Sequence, residues 1–161
     1  MPSDYYILID GVNGESQADG MTNYIDLDSW SFGISSPAEL GGKGLSGGKP
    51  SVSDFSFSCS LETSSYQVVK NLVQGTHIAT GTFKGRKTGG GGTPYIYLQI
   101  TLTKCFVTSF SVGGGSTGTP SCSVSLAFEE IKYEYFTQDT SSGSVTSAGS
   151  ADYDIKKVKS T

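Results

Sequence analysis

The chain has 161 residues, enough for one domain that buries about 70% of its extended surface without metals or disulfides. Charged residues make up 16% against 35% hydrophobic, and 22 glycines with abundant Ser and Thr supply turns and strands rather than helices, so an all-β or mostly β fold is expected. A net charge of -4, with lysines and arginines scattered along the chain, excludes a long basic face for nucleic acid. The first strand is expected at Tyr6 to Asp10, ended by the turn residues Gly11 to Gly14, and a second begins at Tyr24 to Leu27. Parity then changes: Ile25 and Leu27 are odd-numbered, while Trp30, Phe32 and Ile34 are even-numbered. Keeping both sets inward needs one extra residue, so a bulge is predicted near Asp28 and Ser29. A glycine-rich connection from Ser35 to Ser51 follows, longer than the loops that usually join elements of a compact domain. Beyond it Phe55, Phe57, Cys59 and Leu61 alternate with Ser56, Ser58 and Ser60, a half-buried strand with one polar face.

One helical signal follows, with Thr63 or Ser64 as cap, a stripe of Tyr66, Val69, Leu72 and Val73, and Gly75 as the stop. Ile78 to Lys84 and Tyr95 to Leu102 read as strands around a glycine turn at Gly89 to Gly92. In the second of these Ile96, Leu98, Ile100 and Leu102 point inward and Tyr97, Gln99 and Thr101 outward. A strand through Phe106, Phe110 and Val112 turns at GGGSTGTP, and Val124, Leu126 and Phe128 run back against it. Ile131, Tyr133 and Tyr135 repeat the parity slip, which predicts a second bulge at Glu129 and Glu130. Residues Thr137 to Ala151 have no apolar period and are expected to be flexible, with Tyr153, Ile155 and Val158 in a last strand. Eight or nine strands, one short helix and two bulges favour a closed barrel or a tight two-sheet sandwich, as one domain spanning 1–161.

The three cysteines, Cys59, Cys105 and Cys122, leave one over in any intramolecular pairing, and each sits in an apolar or alternating run suited to a small buried thiol. No disulfide framework is expected. MPSDYYILIDGV has no basic segment before its short apolar run and no small-residue cleavage site after it, and nothing approaches the length of a membrane span. Folding in the cytosol is therefore expected, with export left to a separate machine.

A search for reactive chemistry gives no site. The single histidine, His77, lies just beyond the helix with no motif beside it that supplies a nucleophile, and a loop histidine is the simpler reading. Two glycine-rich stretches miss the phosphate-loop pattern. Gly48-Lys49 is followed by Pro50 and preceded by Lys43 where the loop requires glycine, and Arg86 occupies the position before Lys87-Thr88. Asp26 with Asp28 and Glu129 with Glu130 read as solvated sheet positions, and the acidic residues between Asp4 and Asp28 miss the calcium-loop register. No catalytic, cofactor or metal residue is expected. Tyr95 and Tyr97 suit an interface better than a sugar platform, because no cluster of acids and amides accompanies them.

GVNGES at Gly11 to Ser16, WSFGIS at Trp30 to Ser35, the glycine-rich connection, VSDFSF at Val52 to Phe57 and VSLAFEEIKYEY at Val124 to Tyr135 occur in an order that spans nearly the whole chain. Together they resemble the hemolysin-coregulated protein (Hcp) family, the tail-tube subunit of the bacterial type VI secretion system. The resemblance implies a closed β-barrel with one flanking helix, related in fold to phage tail-tube proteins. It further implies a homohexameric ring whose copies stack into a hollow tube, assembled in the cytosol within a contractile sheath and under a spike, and propelled out with effector proteins.

By that resemblance Ser35 to Ser51 is an inter-ring loop with Leu40 and Leu45 as its apolar anchors. Ser29, Ser31, Ser56 and Ser58 are candidates for the lumen wall, their small hydroxyls giving a wet surface that does not grip cargo. The competing reading is a monomeric β-sandwich binding module of carbohydrate-binding or adhesin type.

Overall fold

The computed structural model of the chain describes residues 3–42, 44–88 and 92–160. Its elements run β1 (Ser3–Ile9), β2 (Ile25–Leu27), β3 (Ser29–Ser31), β4 (Ile34–Ser35), β5 (Ala38–Gly41), β6 (Gly44–Gly47), β7 (Ser51–Val52), β8 (Phe55–Ser60), α1 (Ser64–Gln74), β9 (Ile78–Thr88), β10 (Pro94–Gly113), β11 (Ser121–Gln138) and β12 (Val145–Asp154). The main sheet is antiparallel in the order β2-β1-β9-β10-β11-β8-β3. Its first and last members are consecutive in the chain, separated by Asp28 alone, so one bent strand supplies both margins and the sheet closes into a barrel. At the seam the Asp28 N–H donates to the Ser58 carbonyl at 2.8 Å. The parity change between Leu27 and Trp30 is therefore met by a corner at which the strand changes partners, instead of by a bulge within one ladder.

Alternation along the strands fills the barrel with Ile7, Ile9, Ile25, Phe55, Phe83, Ile100, Leu102 and Leu126, all fully buried. Trp30 lies across this core, its ring 4.4 Å from Phe83 and 6.0 Å from Phe55. The opposite face of β1 is also covered. Segment 10–24 folds over it, and Tyr6, Met21 and Tyr24 form a second small cluster with Leu8, Ala18 and Ile96. Ile96 was expected in the main core. An extra residue in β10 between Ile96 and Leu98 shifts its register against β9 and sends Ile96 to the outer face, with Tyr97 taking the inner side.

The second parity slip is real in burial, since Phe128 and Ile131 are both buried across Glu129 and Glu130. The β10–β11 register does not change there. Opposite this point β10 makes the same slip between Leu102 and Cys105, where Lys104 adopts φ 57°, so the two strands stay in step. Lys104 Nζ and Glu129 Oε2 sit 3.6 Å apart at this level. The register shift of the pair lies instead at Thr108, between Val107 and Ser109.

Helix α1 starts at Ser64 after Thr63, which makes no side-chain cap, and stops at Gly75 in the left-handed conformation, φ 64°. Its buried face differs from the expected stripe. Ser64 and Val68 are buried and Leu72 packs against the core, a spacing of four along one side. Tyr66 and Val73 are 62% and 78% exposed, and Val69 also faces out.

The long connection is a two-stranded arm. β4 pairs with β7, and beyond them β5 pairs with β6. At its base the Gly33 N–H donates to Ser53 Oγ at 2.7 Å and the Ser53 N–H to the Gly33 carbonyl at 2.9 Å. At the other end of the chain, Thr137 to Ala151 does not form the irregular segment expected. β11 continues to Gln138 and returns as β12, paired from Gln138↔Val145 to Glu130↔Asp154 with one register shift between Tyr135 and Phe136. Backbone pairing carries this hairpin, and its side chains are largely exposed, so no apolar period marks it. The Asp139 carboxylate accepts from the Ser142 and Ser141 N–H groups in the turn, which hold its pKa below the usual value. The last strand ends at Asp154, ahead of Ile155 and Val158. The glycine turn expected at Gly89 to Gly92 lies outside the described residues up to position 91.

Candidate functional site

The outer face of β3, β8, β11 and β10 is a field of serines. Register places Ser29 beside Ser58, Ser58 beside Ser123 and Ser123 beside Ser111. A second row runs Ser31, Ser56, Ser125, Ser109. Each row crosses four strands without a charged or apolar residue. Ser29 Oγ and Ser58 Oγ share a hydrogen bond of 2.6 Å, and Ser56 Oγ and Ser125 Oγ one of 3.0 Å. The inner face of the same strands carries Phe57, Cys59, Val124 and Leu126.

The bulge at Thr108 is what completes the rows. Val107 points into the core, and without an extra residue Ser109 and Ser111 would share its side. Thr108 occupies the irregular position, donating from Oγ1 to Asp54 Oδ2 at 2.7 Å, with the Ser125 carbonyl 3.2 Å away. The four serines named from the sequence, Ser29, Ser31, Ser56 and Ser58, thus lie on one face together. The alternation of Ser121, Ser123 and Ser125 with Cys122, Val124 and Leu126 was the available signal for the β11 members. Ser109 and Ser111 were hidden by the bulge.

Leu40 and Leu45 are register partners near the far end of the arm. The arm leaves the barrel next to the serine rows, since β3 precedes it and β8 follows it.

The GVNGES motif acts as a clasp between the barrel and α1. Gly14 has no room for a side chain, because a Cβ there would lie 2.2 Å from the Tyr24 carbonyl oxygen. This close approach lets the Gly14 N–H reach the Asn23 carbonyl at 2.9 Å and the Ser16 N–H reach the Tyr24 carbonyl at 3.0 Å. Glu15 Oε2 then accepts from the Thr63 N–H at 3.0 Å, and the Asn13 N–H donates to Gln67 Oε1 at 2.7 Å. Glu62, beside the clasp, has its pKa raised by burial, partly offset by the hydrogen bond from Ser64 Oγ.

Residues weighed for reactive chemistry remain dispersed. His77 is exposed beside Phe106, Asp26 and Asp28 face solvent, and Glu129 lies beside Lys104. Lys87 and Thr88 belong to β9 instead of to a phosphate-binding turn, and Lys87 lies over the rings of Tyr95 and Tyr97. An open groove of about 510 Å³ beside β12 is lined by Thr101, Thr103, Glu130, Asp152, Asp154 and Lys157. Here the Lys157 N–H holds the Asp154 carboxyl below its usual range. This groove gathers mixed charges with no nucleophile paired to a base. Among the described residues no group of three or more potential metal ligands occurs, and no helix is long and apolar enough to cross a membrane.

A closed barrel with one flanking helix, a projecting two-stranded arm and a broad uncharged face defines a structural module built for surface contact. Residues 6–135 match the family model described as type VI secretion system effector, Hcp, and the chain belongs to that family, a family of structural tube proteins. Among solved structures, Hcp1 from Salmonella typhimurium is 29% identical, with a TM-score of 0.80 over 100% of both chains. A type VI secretion system effector from Yersinia pestis is 27% identical with a TM-score of 0.74, covering 94% of this chain and 100% of that one. A structure described as a type six secretion system protein shares the fold with a TM-score of 0.90 at 23% identity, covering 99% and 100%. A search of curated proteins finds no match.

Proposed function

We propose that this chain is the repeating unit of a type VI secretion inner tube: six copies close into a ring, rings stack through the arm, and the serine rows line the channel through which effector proteins are carried. The observation that carries this reading is the pair of four-serine rows. A wall of hydroxyls offers water many small partners and offers a passing protein neither an apolar anchor nor a charge, which suits a conduit better than a binding site. The arm supports the stacking role, since a two-stranded ribbon projecting from the barrel is only marginally stable unaided and gains order from a neighbouring surface. Ring closure and stacking are then different contacts: the first uses a rotation that is a whole fraction of a turn, and the second repeats without closing. In this reading the tube is assembled in the cytosol against a contractile sheath and spike, and is propelled out of the cell by that machine.

Light scattering combined with negative-stain imaging tests it. A mass of about 100 kDa, six chains of 16.9 kDa, with annular particles is expected. A single-chain mass at every concentration overturns the reading, and a stable monomer that binds glycan would favour the binding module. Replacing both Leu40 and Leu45 with Asp is expected to leave rings intact and reduce end-to-end stacking. Unchanged tube growth would remove the arm from the assembly.

A further inference from the structure

The third cysteine is not the odd one at random. Antiparallel register sets Cys59 of β8 directly opposite Cys122 of β11, and both point into the barrel, 4% and 2% exposed. Cys105 is separate, on β10 opposite Phe128 and Ile78, with its Sγ–H directed to the Leu102 carbonyl at 3.4 Å. Only one pair of thiols can meet within a chain.

We propose that Cys59 and Cys122 form a dithiol–disulfide pair that closes a cross-strand bond when the chain folds in, or is opened within, an oxidising environment. Opposed residues on antiparallel strands have Cα atoms about 4.5–5.5 Å apart, inside the roughly 4.4–6.8 Å range that a disulfide spans. The Leu61 N–H donates to the Pro120 carbonyl at 2.9 Å, which makes those residues a hydrogen-bonded pair. Two steps along both strands, Cys59 and Cys122 are then a pair of the same kind, at the wider of the two separations. That separation, about 5.5 Å, lies within the range a disulfide spans. Both cysteines also line a small cavity of about 10 Å³ beneath Ser64, Ser65 and Val68 of α1.

The step balances through thiol–disulfide exchange with a small disulfide oxidant such as oxidised glutathione. One cysteine, as thiolate, attacks a sulfur of the oxidant, forming a mixed disulfide and releasing one thiol. The second cysteine then attacks the protein sulfur of that mixed disulfide, forming the Cys59–Cys122 bond and releasing a second thiol. The two protein protons end on the released thiols, and the oxidant takes both electrons. Burial pushes the Cys59 thiol up to about 12 and raises Cys122 as well, so the closed native barrel holds both as inert thiols. The bond forms during folding or when α1 lifts from the barrel end. A chain passing from a reducing to an oxidising compartment thereby acquires a marker of its passage, a consequence that rests on the tube reading, whereas the bond itself does not.

The test refolds the full chain from denaturant in a buffer of oxidised and reduced glutathione and, in parallel, exposes the native protein to the same buffer. Thiols are then counted after denaturation, with intact mass and peptide mapping. Refolded protein is expected to fall from three free thiols to one, to lose about 2 Da, and to yield a linked pair of peptides containing Cys59 and Cys122. The native sample should reach the same product at least ~10-fold more slowly. Cys105→Ala should form the same bond, and neither Cys59→Ala nor Cys122→Ala should form any. Persistence of all three thiols after refolding, only glutathione adducts, or a linkage through Cys105 overturns the proposal. Ring formation does not enter the readout, so failure here and failure of the tube reading are separate results.

Discussion

Gly14→Ala isolates the clasp. An added methyl would lie 2.2 Å from the Tyr24 carbonyl oxygen, 2.5 Å from its carbon and 2.7 Å from the Ile25 nitrogen. Contacts of that kind become comfortable only beyond 3.4 Å, so the two backbone segments must part by roughly 1 Å. All the obstructing atoms are main chain, which leaves no side chain to swing away. Separation breaks the hydrogen bonds Gly14 to Asn23 and Ser16 to Tyr24, each contributing about 1 kcal/mol. It also loosens the cluster of Tyr6, Met21 and Tyr24, for a further ~1–2 kcal/mol of burial. The expected loss is about 3–4 kcal/mol, or on the order of 10 °C in melting temperature for a chain of this length. Trp30, the sole tryptophan, packs on Phe83 and reports the transition by fluorescence in urea at fixed protein concentration. Gly113→Ala is the control, because nothing lies within 4 Å of the added atom. If Gly14→Ala unfolds within about 0.5 kcal/mol of wild type, the range of surface substitutions, the close approach does not hold the clasp.

Two further outcomes follow from the helix and its first turn. Val68→Ala should cost about 1.5–3 kcal/mol and Val73→Ala less than about 0.5 kcal/mol in the same urea assay, and the reverse order would restore the stripe read from the sequence. Glu62 has a raised pKa in the folded chain, so its protonated form is favoured there; its contribution to stability is present at low pH and is lost as pH rises through that raised value. Glu62→Gln is therefore expected to melt above wild type at pH 7, with the gap closing toward about pH 4. A gap independent of pH would assign the difference to packing.

Where side chains alternate between core and water, the sequence showed the architecture well. Phe55 and Phe57, Leu98 to Leu102, and Val124 to Phe128 stand where their periods put them, and the change of parity at Asp28 marked the corner that closes the barrel. The helix misled because its apolar residues occupy two adjacent stripes. Val68 and Tyr66 are both apolar enough to face inward, and the choice is made by where β10 and the clasp hold the helix, which is tertiary information. Ile96 was misplaced and Ser109 went unread for a shared reason: an extra residue in β10 reverses the faces beyond it, and no residue type announces Tyr97 or Thr108 as that extra one. Most of β12 was invisible, with Tyr153 alone of the expected last strand lying in it, because its pairing is a matter of main-chain hydrogen bonds on an exposed edge. Half of the serine field was legible for the opposite reason, since strict alternation with buried aromatics is its signature.

Among the described residues, the arm is tied to its own barrel at its root, where Gly33 and Ser53 exchange hydrogen bonds and Val52 packs against the core. Melting curves will consequently be blind to most changes along its length, and any screen that ranks variants by thermal resistance will leave that segment unconstrained. Whatever shapes its composition must operate through the bodies it meets, so its defects belong to assembly assays and not to folding ones.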